Sequence, residues 1–274
     1  MTNNYDALWS KLRAEVEKMA SDEPLLSVYL NTIVLEQKSF EDALSSLLSW
    51  KLATVHVDAK TLQSVFLMAF NHSETTKRTI KRDLHAIVER DPAARGYAEP
   101  FLHFKGFHAL EAYRVSHILW TNKKTALALF LQNRITEVFS LDIHPAARIG
   151  KGILIDHGTG VVIGETAVVG DDVSLLHEVT LGGTGKEQGD RHPKVGKGVL
   201  IGAGAKILGN VKIGNGSKIG AGSVVLDDVP EHCTVAGIPA RVVGHPRTQK
   251  PSLLMDQSLD GEIQKDLSYS SSML

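Results

Sequence analysis

The chain has 274 residues, 43% of them hydrophobic, with 30 lysines and arginines against 31 aspartates and glutamates. This length and apolar content exclude a disordered segment and a disulfide-stapled miniprotein. The net charge of -1 gives no support for a nucleic-acid partner, and the single cysteine permits no intrachain disulfide. The longest apolar run, Ala126–Leu131, is too short to span a membrane, and the first twenty residues show no signal peptide. We expect a cytoplasmic protein with no membrane partner.

The amino-terminal half has the spacing of amphipathic helices. Apolar residues recur at three- and four-residue intervals: Leu8, Leu12 and Val16, then Ile80, Leu84 and Ile87. This is the period of a helix with one buried face. Pro24 and Pro92 punctuate the series, because proline ends helices and suits their first turn. We predict an all-helical domain over residues 1–139.

From Ile143 the apolar period changes to six. Every sixth residue forms a series in which only Ala167 is neither isoleucine nor valine: Ile143, Ile149, Ile155, Val161, Ala167, Val173, Val179, then Val195, Ile201, Ile207, Ile213, Ile219 and Val225. A helix cannot produce a strict period of six, and hairpin strands alternate by two. The pattern is typical of a solenoid in which each hexad is a short strand and a turn. We predict this solenoid over residues 140–245.

The six-residue series is interrupted once. Val179 and Val195 are 16 residues apart instead of six, which predicts an insertion of ten residues. A solenoid has no internal room for them, so residues 183–194 should form a protruding loop. The loop carries Arg191 and His192, and such loops often serve function. The alternative is a solvated glycine-rich loop without a role.

His157 differs from the other histidines of the repeat because it follows Asp156 and lies between inward positions. Asp142 stands about two and a half hexads earlier, so it could lie on the coil below His157 or simply cap the end of the solenoid. The γ-class carbonic anhydrases also use this kind of solenoid, with three zinc-bound histidines, two of them five residues apart in the sequence. The repeat has no such pair, and we expect no metal.

The solenoid resembles the hexapeptide-repeat acyltransferases, and the whole chain to about residue 245 resembles the bacterial serine O-acetyltransferases. The motifs that carry this resemblance are Arg90-Asp91-Pro92-Ala93, Lys105 to Leu110, Asp142 to Ala147, Asp156-His157 with Thr159-Gly160, Gly164 to Ala167, Val179 to Lys186, Gly189 to Lys194 and Val235 to Arg241. The resemblance implies an α + β protein: an all-helical amino-terminal domain, then a left-handed parallel β-helix with three hexads per coil. A flexible tail should follow over residues 246–274.

The resemblance also implies an activity and a set of residues for it. The reaction transfers the acetyl group of acetyl-CoA to the hydroxyl of L-serine, the first step of cysteine biosynthesis from serine, without an acyl-enzyme. His157 is the implied general base, a role that suits a side chain with a pKa near 6.5, and Asp142 orients it. The implied serine contacts are Asp91, Asp156, Arg191 and His192, of which His192 also belongs to the catalytic group. The implied CoA contacts are Gly183, Ala203, Lys218 and Ala221.

The family's partners follow from the same resemblance. The β-helices form trimers with active sites between neighbouring chains, and the helical domains pair two trimers into a hexamer. L-cysteine, nearly isosteric with serine, inhibits from the serine site. In the family an isoleucine at the chain end binds O-acetylserine sulfhydrylase. This chain ends in Leu274 and lacks the usual acidic residues before it, which disfavours that complex.

Two other functions compete with serine acetylation. One is a hexapeptide acetyltransferase for another hydroxyl, such as that of a sugar or homoserine, although the helical half argues against a sugar enzyme. The other is a non-enzymatic scaffold. A scaffold would give no reason to keep one set of residues in the chain: Asp91, Asp142, Asp156, His157, Arg191 and His192.

Overall fold

The computed structural model describes residues 7–185 and 188–259. Residues 1–6 of the predicted helical domain, 186–187 of the predicted loop and 260–274 of the predicted tail lie outside this description. The amino-terminal half is helical, as its periodicity predicts. Its α-helices are α1 (Leu8–Asp22), α2 (Ser27–Leu30), α3 (Phe40–Leu52), α4 (Ala59–Phe70), α5 (Glu74–Arg90), α6 (Ala98–His103), α7 (Lys105–Thr121) and α8 (Thr125–Phe139).

Polar side chains fix where helices of this half begin. The Ser39 hydroxyl accepts a hydrogen bond from the backbone N–H of Asp42 at 3.1 Å at the start of α3. The Asp58 carboxylate does the same for the N–H of Thr61 at 2.8 Å at the start of α4. Each such cap stabilises a helix by about 1 kcal/mol, because the first-turn N–H groups have no partner within the helix.

Helix α7 is buried on nearly every side and joins the two halves of the chain. Its Arg114 pairs with Asp83 of α5 at 2.6 Å and donates to the carbonyl of Gly150 at 2.7 Å. The other oxygen of Asp83 accepts from the backbone N–H of Ile153 at 2.8 Å. A buried arginine is retained only where its charge is paired and its donors are used. These bonds therefore hold the solenoid against the helices.

His108 of α7 gives this half a specific dependence on pH. Burial lowers the pKa of His108 to about 3, although its Nε2 lies 2.7 Å from the carbonyl oxygen of Phe101. In the unfolded chain this pKa is near 6.5, so the unfolded state binds the extra proton first as the pH falls. Stability is therefore complete above pH 6.5 and is lost from there down toward pH 3, by about 1.4 kcal/mol per unit.

We expect His108→Gln, which keeps a side-chain donor, to flatten this dependence. Between pH 6.5 and 5 the loss of unfolding free energy should be about 2 kcal/mol smaller than in the unmodified chain, as measured by urea unfolding. His56→Gln, at an exposed position, should leave the slope unchanged. An equal slope in the His108 variant would show that other groups control the acid response.

The carboxyl-terminal half is the predicted left-handed parallel β-helix, with three faces. The first face is β1 (Asp142–Ile143), β4 (Val162–Ile163), β7 (Thr180–Gly182), β10 (Lys206–Leu208) and β13 (Val224–Val225). The second is β2 (Arg148–Ile149), β5 (Val168–Val169), β8 (Lys194–Val195) and β11 (Lys212–Ile213). The third is β3 (Leu154–Ile155), β6 (Ser174–Leu175), β9 (Leu200–Ile201), β12 (Lys218–Ile219) and β14 (Thr234–Gly237), with β15 (Ala240–Gly244) antiparallel at its edge.

The strand register corrects the predicted insertion of ten residues. In an uninterrupted coil, paired strand residues are 18 apart, as in Lys194↔Lys212. Across the loop they are 26 apart, as in Val168↔Lys194, so the loop adds eight residues. The other two residues are inserted earlier, because Leu154↔Ser174 spans 20. They lie in the turn after β3, which carries His157. Counting every sixth residue missed this insertion. Each strand has a buried residue, and the position two residues before it also faces inward, so the series continued on the other inward position.

The inward positions of the repeat form the solenoid core, as predicted. Twelve of the thirteen residues in the six-residue series are buried, and Ile149 is partly buried. One continuous apolar core runs from the helices into the coils. Most of the predicted site residues of this half lie at the corners where the faces meet; Asp142 on β1 and Lys218 on β12 are the exceptions. Two corners concern the site. The His157 corner, between the third and first faces, comprises residues 156–161, 176–179, 202–205 and 220–223. The Arg191 corner, between the first and second faces, comprises 144–147, 164–167, 183–185, 188–193 and 209–211.

The described part of the carboxyl-terminal tail packs back onto the solenoid. Helix α9 (Pro251–Leu254) lies against β9 and α5. Ser252 donates to the carbonyl of Asp172 at 2.5 Å, and Lys250 pairs with the Asp172 carboxylate at 3.0 Å. The segment after residue 250 therefore lies beside the end of α5, where Leu254 and Met255 line a cavity together with Asp91. Among residues 7–185 and 188–259, no helix is both long and apolar enough to cross a membrane.

Candidate active site

The predicted site residues fall into two groups on different corners of the solenoid. Asp156 and His157 lie on the His157 corner, and Asp91 reaches the same place from the end of α5. Arg191 and His192 lie on the Arg191 corner. Since the two corners are separate edges of a three-faced coil, a single chain does not bring the groups together.

The first group lines a cavity of about 580 Å³ between the helical half and the His157 corner. Asp91, Asp156 and His157 share it with Lys105, His103 and Glu99, which sequence reasoning had not assigned to the site. The Nε2 atom of His157 lies 3.8 Å from a carboxylate oxygen of Asp156. The His157 side chain is 74% exposed, so its imidazole is open to a reactant in the cavity.

The electrostatics of this cavity favour a cation. Burial raises the pKa of the Asp156 carboxyl above its ordinary value, His157 opposes this shift, and the neighbouring Asp91 carboxylate adds to it. A carboxylate that is destabilised by burial and by a second carboxylate is stabilised when a positive group binds beside it. The Asp91 carboxylate also accepts from the backbone N–H of Ala93 at 2.9 Å, so it orders the turn after α5 as well.

The turn that carries His157 is seated by the start of α7. A Cβ atom on Gly106 would lie 2.0 Å from the carbonyl oxygen of Ile155, so only glycine allows this approach. Next to it, Lys105 donates from Nζ to the hydroxyl of Thr159 at 2.5 Å. His157 itself has φ +57, a left-handed conformation that is uncommon for a residue with a side chain. Backbone strain of this kind is found at functional sites, where surrounding contacts hold it in place.

Thr166 organises the second group, on the Arg191 corner. Its hydroxyl accepts from the backbone N–H groups of Arg191 at 3.0 Å and His192 at 3.1 Å. Arg191 also pairs with the Glu165 carboxylate at 2.9 Å. A Cβ on Gly164 would lie 2.0 Å from the His192 ring, so a glycine is needed there. The motif Gly164 to Ala167 was visible in the sequence, but its contact with residues 25 positions later required the register.

The ring of His192 is held in one tautomer. Its Nδ1 accepts from the backbone N–H of Thr166 at 3.2 Å, so the ring proton of the neutral form lies on Nε2. Burial lowers the pKa of His192, and the positive charges of Arg191 and Lys194 lower it further. At neutral pH His192 is therefore an uncharged donor beside a guanidinium.

Asp142 does not touch His157 within the described chain. Its carboxylate accepts from the Gln132 side chain of α8 at 2.7 Å. Asp142 pairs in register with Val162, so it lies one coil away from the strand that follows the His157 turn. The carboxylate that lies next to His157 is that of Asp156.

The four predicted CoA contacts are also divided. Ala203 and Ala221 lie in successive turns of the His157 corner, where the N–H of Gly222 donates to the Ala203 carbonyl at 2.7 Å. Gly183 lies on the Arg191 corner. Lys218, on β12 of the third face, is buried, and its Nζ donates to the backbone carbonyls of Asp256 at 3.3 Å and Ser258 at 2.7 Å. No group of metal-ligating side chains of the usual size occurs within residues 7–185 and 188–259.

Comparisons with known proteins point to one family. A profile described as "Serine acetyltransferase, N-terminal" matches residues 8–112, and one for the bacterial transferase hexapeptide repeat matches residues 192–227. A serine acetyltransferase of Salmonella typhimurium is 50% identical over 256 residues, covering 93% of this chain and 94% of that protein. The crystal structure of a serine acetyltransferase from Vibrio cholerae is 51% identical, covers 93% and 99% of the two chains, and superimposes with a TM-score of 0.92.

Three similar structures hold ligands. A Neisseria gonorrhoeae serine acetyltransferase in complex with serine is 50% identical, with a TM-score of 0.84 and coverage of 85% and 96%. A Brucella abortus serine acetyltransferase in complex with coenzyme A is 46% identical, with a TM-score of 0.85 and coverage of 87% and 95%. A serine acetyltransferase in complex with cysteine is 47% identical, with a TM-score of 0.90 and coverage of 93% and 99%.

Proposed function

The chain belongs to the serine acetyltransferase family, and we propose on this basis that it transfers the acetyl group of acetyl-CoA to the hydroxyl of L-serine. The structural observation that carries the proposal is the cavity in which His157 lies beside two carboxylates. The two carboxylates can bind the ammonium group of an amino acid, and the imidazole beside them can take the proton of its hydroxyl. Enzymes of this family use acetyl-CoA as the cosubstrate, and relatives bind serine, cysteine and coenzyme A.

In this mechanism His157 is the general base. It takes the hydroxyl proton of serine as the serine oxygen bonds to the carbonyl carbon, and the carbonyl π electrons move to the oxygen. The tetrahedral intermediate then re-forms the carbonyl and breaks the carbon–sulfur bond. The departing thiolate receives the proton from the His157 imidazolium, so no acyl-enzyme is required. The role of Asp142 as the orienting carboxylate stays a prediction, because within the chain its carboxylate accepts a hydrogen bond from Gln132 and does not contact His157.

Serine binding needs charges of both signs because serine is a zwitterion. Asp91 and Asp156 are proposed to hold the ammonium, whose charge offsets the burial and the Asp91 repulsion that raise the pKa of Asp156. Arg191 is proposed to hold the carboxylate through its planar guanidinium, with the neutral His192 donating from Nε2 beside it. The Glu165 carboxylate and the backbone carbonyl of Gly189 anchor the guanidinium through Nη2 and Nη1. Its other N–H groups are left for the ligand.

The division of these residues between two corners supports a site formed by two chains. A trimer of solenoids places the His157 corner of one chain against the Arg191 corner of the next, which unites base, ammonium pair and guanidinium. CoA then lies in the groove between solenoids, beside Ala203 and Ala221 of the His157 corner. Pairing of trimers into a hexamer through the helical halves stays a prediction.

L-cysteine fits the same amino-acid site, because its thiol takes the place of the serine hydroxyl and its charges are identical. We propose inhibition by this route, with the carboxyl-terminal segment after residue 250 moving against the CoA groove. The cytoplasmic location and the sulfhydrylase complex also stay predictions. The terminal Leu274 on which that complex depends lies outside the described residues.

The decisive assay follows acetyl-CoA thioester loss with purified protein. We expect turnover with L-serine, none with galactoside or without acceptor, and much slower turnover with L-homoserine, whose hydroxyl is one carbon further from the α-carbon and is therefore misplaced relative to the base. L-cysteine should suppress the serine reaction competitively with serine. Absence of turnover with every acceptor, from a folded oligomer, would support the scaffold alternative.

A further inference from the structure

His177 lies next to the proposed base and has no place in the mechanism derived so far. It occupies the turn of the His157 corner one coil above His157, in the same row as Ala203 and Ala221. The two histidine rings meet edge to face, with centroids 5.8 Å apart and planes at 72°. The backbone carbonyl of His177 accepts from Gly204 at 2.9 Å, which fixes its turn to the coil above. His177 therefore lies between the base and the proposed CoA groove.

The two nitrogens of the His177 ring have different surroundings. Nδ1 is buried and has no hydrogen-bond partner among the described residues. A proton on Nδ1 would leave a buried N–H donor without an acceptor. This costs more free energy than leaving the lone pair of the unprotonated nitrogen without a donor. The favoured tautomer therefore carries its proton on Nε2. Among the described residues Nε2 makes no hydrogen bond and is not one of the buried unpaired atoms, so it is accessible and its N–H can bind a ligand at the corner.

We propose, building on the proposed acetyl transfer, that His177 donates a hydrogen bond from Nε2 to the carbonyl oxygen of the acetyl group. The attacked carbon must lie within reach of the serine oxygen that His157 deprotonates. The thioester enters along the row that His177 shares with Ala203. The carbonyl oxygen between them gains negative charge in the tetrahedral intermediate, and a fixed donor stabilises it there. His177 keeps its proton throughout, so the proton balance between His157 and the CoA thiolate is unchanged.

This role makes His177 a catalytic residue with a defined signature. His177→Leu removes the donor and replaces the ring with an apolar side chain of similar length. It should lower kcat by about 10²-fold, as removal of one oxyanion donor does in other enzymes. His177→Gln keeps a neutral N–H donor and should stay within about tenfold of the unmodified enzyme. Glu178→Gln, at the exposed neighbouring position, should leave kcat unchanged.

Two CoA thioethers separate a carbonyl contact from a general effect on the corner. S-acetonyl-CoA carries a carbonyl group and S-ethyl-CoA does not. By calorimetry, His177→Leu should bind S-acetonyl-CoA several-fold more weakly than the unmodified enzyme and S-ethyl-CoA equally well. Equal loss of both affinities, or a pH profile of kcat shifted without loss of its maximum, would overturn the carbonyl contact, because the variant would then be acting through the corner or through His157.

The outcomes also separate this inference from the proposed function. If the unmodified protein acetylates serine and His177→Leu does so at the same rate, only the role of His177 fails. If the unmodified protein acetylates no acceptor, the proposed function fails first. In that case the affinities for the two thioethers still report whether His177 contacts a carbonyl group in this groove.

Discussion

Replacing His157 by asparagine should lower kcat for serine acetylation by about 10³-fold, because a general base contributes a factor of this order. Asparagine suits the position better than alanine, since the residue has φ +57 and asparagine tolerates left-handed backbone conformations. The side chain stays polar but cannot take a proton near neutral pH. Thioester loss at saturating serine and acetyl-CoA measures the effect.

CoA affinity is the control for this prediction. His157 lies at the amino-acid cavity, so calorimetric binding of CoA to His157→Asn should match that of the unmodified enzyme. The rate of His157→Asn should rise with pH in the alkaline range, because hydroxide can take the serine hydroxyl proton in place of the missing base. A kcat within tenfold of the unmodified value would remove His157 from the role of base and direct attention to the other titratable side chains of the cavity.

Mixing two impaired variants should restore activity if the site is shared between chains. Arg191→Ala should raise the KM for serine by about 10- to 100-fold, because it removes a charge-assisted bond to the carboxylate. Co-expressed with His157→Asn, it gives trimers in which an intact His157 corner can face an intact Arg191 corner. Random assembly at equal amounts makes about a quarter of the sites intact. At serine concentrations near the unmodified KM, we therefore expect about a quarter of the unmodified rate.

Asp91→Asn provides the matched control for mixing. Asp91 lines the same cavity as His157, so a mixture of Asp91→Asn and His157→Asn chains contains no intact first group. The rate of this mixture should be only the average of the rates of the two single variants. The same average from the His157→Asn and Arg191→Ala mixture would show that both groups act within one chain, and the trimeric site would have to be abandoned.

The repeat could be recognised from the sequence because its physical cause is local. Each coil buries a β-branched residue at a fixed interval, so Ile201, Ile207 and Ile213 report an inward face regardless of the rest of the chain. The same logic failed at the insertion. Val161 continued the series although it stands two residues before the buried residue of its strand, Ile163, and two inward positions per hexad cannot be told apart by counting.

The site residues illustrate a second limit. Asp156, His157 and Arg191 were assigned to the site from motifs. Thr166 and Lys105 lie in motifs but were given no role, and His177 was not singled out. Thr166 acts through backbone N–H groups 25 and 26 positions later, and Lys105 acts through a hydroxyl 54 positions later. Contacts of this kind depend on how the coils are stacked and where α7 lies on them. Residue spacing in the sequence does not predict either.

Sequence alone therefore determined the helical half, the solenoid and the chemical types present, because periodicity and motifs are properties of neighbouring residues. The tertiary structure alone decided that the two inserted residues lie in the turn with His157, that Asp142 is bonded to Gln132, and that Arg191 lies on a different corner from His157. The reason is geometric. A coil returns to the same corner only after 18 or more residues, so side chains distant in sequence become neighbours, and side chains in adjacent motifs can be placed on separate edges.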